Sequence, residues 1–314
     1  MNNSSEVKSS NNKSLSLEKT GIIYNSEHAK ASEVIKKLEN TLNRLNLQYV
    51  TNTLNLKEEH GKSFPADITL AVIVGGDGTF LGAARFYANL GVPLFGINTG
   101  RLGFLAQITP EEIEVSFKKL LEGKFKIEER LMLEVSAEDS DYKQLSLLNM
   151  PSKSCLALND IVIRGEPVSR SSKLSLSIDG RKVCDYLSDG LIISTPTGST
   201  AYTLSAGGPV VTPDLEVFVI VPICPHALTS RPIVIHSDAS LEVKVECDAD
   251  YFTLTADGQE NIRLKSSNKI TIKRNAQKAL IVLPEKENNG FYGILREKLH
   301  WGVSPGCTIK DELK

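Results

Sequence analysis

The run Ile68-Thr69-Leu70-Ala71-Val72-Ile73-Val74, opening directly onto Gly75-Gly76-Asp77-Gly78-Thr79, constrains this chain more than any other stretch. A nearly unbroken apolar segment rich in β-branched residues has no face to offer water, so it predicts a parallel strand covered on both sides. Phe80 to Leu90 then reads as a helix and Val92 to Asn98 as the next strand, a βαβ unit with a glycine-rich first turn. Backbone amides in such a turn attract anions, because they are unpaired and the helix dipole favours negative charge there. Asp77 runs against that logic. A carboxylate in an anion-attracting turn needs a task, such as accepting a proton or meeting a metal, unless it simply caps the helix at Thr79 or Phe80. No Lys follows the glycines, so the loop is not a Walker A loop.

The surroundings extend this unit. Gly21 to Tyr24 predicts a buried strand, and Ser26 a cap for a helix whose apolar residues run from Ala31 to Leu45 at helical spacing. A second strand is expected over Leu47 to Thr53. A further helix should start at Thr109, with Pro110 at its first position and Glu112 completing a capping box. Beyond Glu129 short strands dominate, among them Leu158 to Arg164, Lys173 to Ile178, Arg181 to Tyr186, Leu191 to Ser194, Leu241 to Glu246 and Ala279 to Leu283. Asp179-Gly180 marks a tight hairpin between two of them. With 314 residues, at about 150 per domain, two domains are expected. These are an α/β, Rossmann-like N-terminal domain over 19–128 and a β-rich, antiparallel sandwich-like C-terminal domain over 129–285. A helix within 286–305 is expected to pack back on the first domain, leaving 306–314 as a tail. Ten of the first eighteen residues are Ser or Asn, which predicts a disordered N-terminal tail over 1–18.

Charge and cysteine usage narrow the function. Lys and Arg total 36 against 38 Asp and Glu, for a net charge of −2, so no basic excess points to nucleic acid. The apolar run from Val217 to Cys224 is broken by Pro222 and is far too short to span a bilayer. Five scattered cysteines form no C-x-x-C pair and five histidines show no ligand spacing, so neither a disulfide framework nor an intrinsic metal site is expected. A cytoplasmic protein follows.

A second motif is sharper. Ser188-Asp189-Gly190 leads through an apolar strand into Ser194-Thr195-Pro196-Thr197-Gly198-Ser199-Thr200-Ala201-Tyr202, and a helix carrying Tyr202 and Ser205 is expected next. Seven hydroxyl side chains lie between Ser194 and Thr203, with Ser205 an eighth. Hydroxyls both donate and accept hydrogen bonds and so suit ribose and amide recognition, although a plain Ser/Thr-rich loop would also read this way.

With both motifs in this order the chain resembles the NAD kinase family, in its soluble bacterial or plastid form. Asn98-Thr99-Gly100-Arg101-Leu102-Gly103-Phe104-Leu105, Ala157-Leu158-Asn159-Asp160, Ile223-Cys224-Pro225-His226, Ser230-Arg231-Pro232 and Asp257-Gly258-Gln259 agree, and the resemblance covers about Thr20 to Trp301. The glycine loop alone is also found in diacylglycerol kinases and phosphofructokinases; the Ser/Thr-rich segment is far more specific.

The resemblance implies NAD held between the two domains and transfer of the γ-phosphoryl group of ATP to the 2′-hydroxyl of its adenosine ribose, with Mg²⁺ bridging the ATP phosphates. It implies Asp77 as proton acceptor beside Gly78, with Asn159 and Asp160 gripping the ribose. It further implies dinucleotide contacts from Arg170, Asp189, Thr200, Ala201, Tyr202, Thr203, Leu204, Ser205 and Gln259. The family usually has Asn-Glu where this chain has Asn159-Asp160, one methylene shorter. Phe104 would wall an adenine pocket or belong to the core. A homo-oligomer, dimer or tetramer, is implied as well. The alternatives are a lipid kinase of the diacylglycerol type and a non-catalytic NAD sensor.

Overall fold

The computed structural model describes residues 6–9, 11, 13–25, 30–53, 65–100, 102–137, 154–166, 172–246, 251–266, 268–285 and 290–300. Ser26, Arg101, Arg170, Trp301 and the expected tail 306–314 lie outside them.

The apolar run before the glycines forms the strand Leu70–Gly75, buried along its whole length. It lies inside a six-stranded sheet in the order Tyr49–Thr53, Thr20–Tyr24, Leu70–Gly75, Leu94–Asn98, Ala279–Pro284, Phe125–Arg130. The first five strands are mutually parallel and Phe125–Arg130 closes the edge antiparallel. Side chains alternate across a strand. Leu70, Val72 and Val74 accordingly pack with helices Ala31–Arg44 and Ile113–Leu121 on one face. Ala71 and Ile73 pack under helix Asp77–Tyr87 on the other. That same cluster contains Met132, Leu156 and Leu158 of the following β region, so the helix that begins at Asp77 is wedged between the two halves of the chain.

The β-rich region consists of two six-stranded antiparallel sheets closed over one core that includes Ile161, Ile163, Leu174, Leu176, Phe218 and Phe252. The expected hairpin is present, with Asp179 at φ 50 and Gly180 at φ 73, as a tight two-residue turn requires. The capping box at Thr109 is formed, although the first turn, Pro110–Glu112, is a 3₁₀ turn that leads into the α-helix Ile113–Leu121.

Two expectations are corrected. The Ser/Asn-rich opening is not wholly disordered: Glu6–Lys8 pairs antiparallel with Ser14–Ser16, and Leu15 and Leu17 are 1% and 2% exposed against helix Ala31–Arg44. The alternation Ser14-Leu15-Ser16-Leu17 gives this short ribbon an apolar face that average composition conceals. The boundaries at 128/129 and 285 also shift. Phe125–Arg130 and Ala279–Pro284 pair with each other as part of the first sheet, so the chain returns to the first unit with a strand before the final helix Phe291–Leu299.

Candidate active site

Asp77 is the first residue of its helix, and Gly76, in extended conformation, is the cap. Its carboxylate does not cap the helix. Oδ2 accepts from the Phe104 amide at 2.9 Å, and Oδ1 from the Leu105 and Ala106 amides at 3.0 and 3.2 Å. The loop that supplies these donors is pinned by Asn98, whose side chain donates to the Ala106 carbonyl and accepts from the Gly100 amide. Gly103 is required there, since a Cβ would lie 2.1 Å from Asp77 Oδ1. The Asp77 side chain remains 30% exposed, and Lys298 of the last helix brings Nζ to 3.9 Å from Oδ2. Its ammonium also lies 4.9 Å from the centroid of the Phe104 ring.

Directly behind Asp77 a buried hub joins the two halves. Arg85 is on the same helix; its side chain is 3% exposed and it donates to Asp257 at 2.9 Å, Glu260 at 3.2 Å and Gln259 Oε1 at 2.8 Å. Gln259 Nε2 in turn donates to the Gly78 carbonyl at 2.7 Å. Asp257, fully buried, also accepts from the amides of Leu158, Asn159 and Asp160 at 3.1, 2.7 and 3.3 Å. One turn, 257–260, therefore fixes the glycine loop on one side and the Asn159-Asp160 pair on the other. A buried ion pair is sustained only when its remaining polar atoms find partners, a condition met here by three amides and a second carboxylate.

Two cavities flank the Ser/Thr-rich turn. The larger, about 460 Å³, is walled by Phe104, Arg130, Thr197, Thr200, Phe291 and Tyr292 among others. The smaller, about 290 Å³, is lined by Asn159, Asp160, Arg164, Ala201, Tyr202 and Gly258 among others. Asp77 borders neither directly; Phe104, its donor, belongs to the first, and Gly258, beside its Gln259 neighbour, to the second. In the smaller cavity Arg164 donates to the Tyr202 hydroxyl and lies 5.5 Å from its ring centroid, which fixes the ring. Asp160 is 3% exposed, and burial, with the nearby Asp257 charge second, pushes its carboxyl up to about 7. A Cβ on Gly198 would sit 2.1 Å from the Asn159 carbonyl, so only glycine lets the turn lie against the Asn-Asp strand.

Asp77, Gly78, Asn159, Asp160, Thr200, Ala201, Tyr202 and Gln259 are thus drawn to one region. Thr203 is not at a cavity wall: it is fully buried, in the range that a Gly208 Cβ would strike. Leu204 is half-buried and Ser205 exposed, both outside the cavity linings, and helix Tyr202–Ser205 is a single turn. Asp189 stands at the opposite end of strand Gly190–Ser194 from the turn, about 17 Å away at the rise of a strand. Arg170 falls outside the described residues. Arg85 and Lys298 are contributors absent from the sequence expectations, and Asp257 stands there only as part of the Asp257-Gly258-Gln259 motif, with no role of its own. A lone arginine in the apolar stretch Leu81-Gly82-Ala83-Ala84-Arg85-Phe86-Tyr87 was a legible sign of a buried partner; nothing in the sequence marked Lys298.

Residues 12–125 match the model of the ATP-NAD kinase N-terminal domain and residues 158–283 that of the ATP-NAD kinase C-terminal domain. The chain is 40% identical over 281 residues to an NAD kinase of Aquifex aeolicus, covering 90% of this chain and 98% of that one. It is 42% identical over 238 residues to one of Azotobacter vinelandii, covering 76% and 77%. Among solved structures, an Archaeoglobus fulgidus NAD kinase in complex with ATP superposes with a TM-score of 0.68 at 31% identity, covering 90% of this chain and 98% of that one. The fold is also shared with yeast NADH kinase complexed with NADH, at a TM-score of 0.76, 23% identity and coverage of 93% and 90%.

Proposed function

The chain belongs to the ATP-NAD kinase family, and on that premise we propose that it transfers the γ-phosphoryl group of ATP to the 2′-hydroxyl of the adenosine ribose of NAD, giving NADP. The observation that carries this reading is the 257–260 turn, which ties the Asp77–Gly78 loop and the Asn159-Asp160 pair into one unit at the junction of both family domains.

Asp77 receives the ribose proton as the 2′-oxygen attacks phosphorus; the new O–P bond forms as the bond from the γ-phosphorus to ADP breaks, and ADP leaves with its electron pair. A ribose hydroxyl is a weak nucleophile, so an acceptor held in place by three amides shortens the search for a reactive geometry. Asn159 and Asp160, on the cavity wall, suit ribose hydroxyls; Thr200, Phe104 and the fixed Tyr202 ring suit adenosine and a flat amide-bearing ring. Asp189, Leu204 and Ser205 are assigned to outer parts of the dinucleotide, and Arg170 keeps its dinucleotide contact on the family resemblance alone. Thr203 supports the turn from within.

Mg²⁺ enters as part of the Mg-ATP substrate. Among the described residues no group of three or more His, Cys, Asp or Glu side chains is placed to hold a metal ion. We place the protein in the cytoplasm as a homo-oligomer, dimer or tetramer; no helix among the described residues is long and apolar enough to cross a membrane. No observation favours the lipid-kinase alternative. The test is to supply Mg-ATP with NAD, NADH or diacylglycerol and identify the product by mass and by the position of its phosphate. NADP from NAD is expected. ATP consumption with phosphate on the lipid, or no phosphorylated dinucleotide from folded protein, overturns the reading.

A further inference from the structure

The acceptor carboxylate sits beside a charge problem that the reaction itself creates. Once the phosphoryl group reaches the 2′-oxygen, a phosphate monoester of nearly two negative charges stands next to Asp77, which holds the proton it took from that oxygen and is neutral until it passes the proton on. A dianion in a partly enclosed site is costly to desolvate, and the Asp77 carboxylate repels it once that proton has left, so a cation at this place stabilises the product. Among the described residues one cation lies within 4 Å of Asp77, Lys298, at 3.9 Å from Oδ2. That gap is wider than a hydrogen bond, so Lys298 is near the carboxylate without being consumed by it. Its position is held from two directions. Ile294 and Leu295 of the same helix are buried, and the face of Phe104 supports the ammonium at 4.9 Å. Its side chain is 30% exposed, and among the described residues the ammonium makes no hydrogen bond shorter than its 3.9 Å approach to Asp77, so it has donors to offer an anion.

We propose that Lys298 is the ligand of the transferred phosphoryl group, a phosphate-monoester site at the 2′-position that distinguishes NADP from NAD. The inference rests on the reading of Asp77 as the group that faces the 2′-oxygen. Lys298 comes from the helix that follows the returning strand, so the product site is completed only when the end of the chain has docked on the first unit. The substrate NAD lacks the 2′-phosphate and makes no such contact, whereas NADP does.

Binding of NAD and of NADP, measured by calorimetry on the purified full-length chain, on Lys298→Gln and on Lys298→Arg, tests this. Thermal unfolding of each variant verifies that it is folded. Lys298→Gln is expected to weaken NADP about tenfold and NAD less than twofold, the loss typical of a charge-assisted contact, and Lys298→Arg to restore most of the NADP affinity. Unchanged NADP affinity in Lys298→Gln, or an equal loss for both dinucleotides, overturns the proposal while leaving the NAD kinase reading intact. Failure of the unaltered protein to bind NAD overturns that reading first.

Discussion

At the scale of single residues the chemistry is set by how each carboxylate is enclosed. Asp160, buried beside Asp257, has its carboxyl raised to about 7 from an ordinary value near 4. A folded-state value above the unfolded one means that the stability it contributes is fully present below about pH 4 and is lost as pH rises through about 7. Asp160→Asn removes that dependence. The variant should therefore gain on the native protein between pH 4 and 7, by on the order of a few kcal/mol in urea unfolding, and the difference should level off above pH 7. A pH-independent difference contradicts the burial described. Both Asp77 and Asp160 were legible in the sequence, the first because a carboxylate in a glycine turn is out of place, the second through its motif. Their enclosure was not, because it depends on amides at 104–106 and a side chain at 257, far along the chain.

At the scale of elements, helix Asp77–Tyr87 carries Asp77 at its start and Arg85 two turns later, so it links chemistry to domain contact within one rigid unit. Arg85→Met would leave Asp257 and Glu260 buried without their cation, and about 3–5 kcal/mol of stability should be lost in urea unfolding. A loss below about 1 kcal/mol contradicts a desolvated bridge. Element types were largely readable: the strand Leu70–Gly75, the Asp179-Gly180 hairpin and the Thr109 capping box each carry a local signature. Strands Phe125–Arg130 and Glu260–Lys265 were not anticipated, since alternation with charged residues on one face looks like any exposed segment until a partner strand fixes its register.

At the scale of the whole molecule, an early segment, 6–17, and a late one from Ala279 both pack on the first unit. The N-terminal ribbon covers one helical layer with Leu15 and Leu17, and the return strand Ala279–Pro284 inserts between Leu94–Asn98 and Phe125–Arg130. No local signal announces a pairing across some 150 positions, which is why the domain boundary was misplaced. Leu15→Ala should cost about 2–4 kcal/mol, whereas a solvated tail would show no change in unfolding midpoint. The returning segment also delivers Lys298, so the surroundings of Asp77 are built from three separate parts of the sequence, 75–78, 103–106 and 298. Its purpose is most directly tested by Asp77→Asn, through paired measurement of NAD affinity and of the rate of NADP formation at saturating Mg-ATP and NAD. NAD affinity within about twofold of the unaltered protein, with turnover reduced about 10²-fold or more, is expected of a lost proton acceptor. Turnover that survives the substitution would remove Asp77 from the reaction.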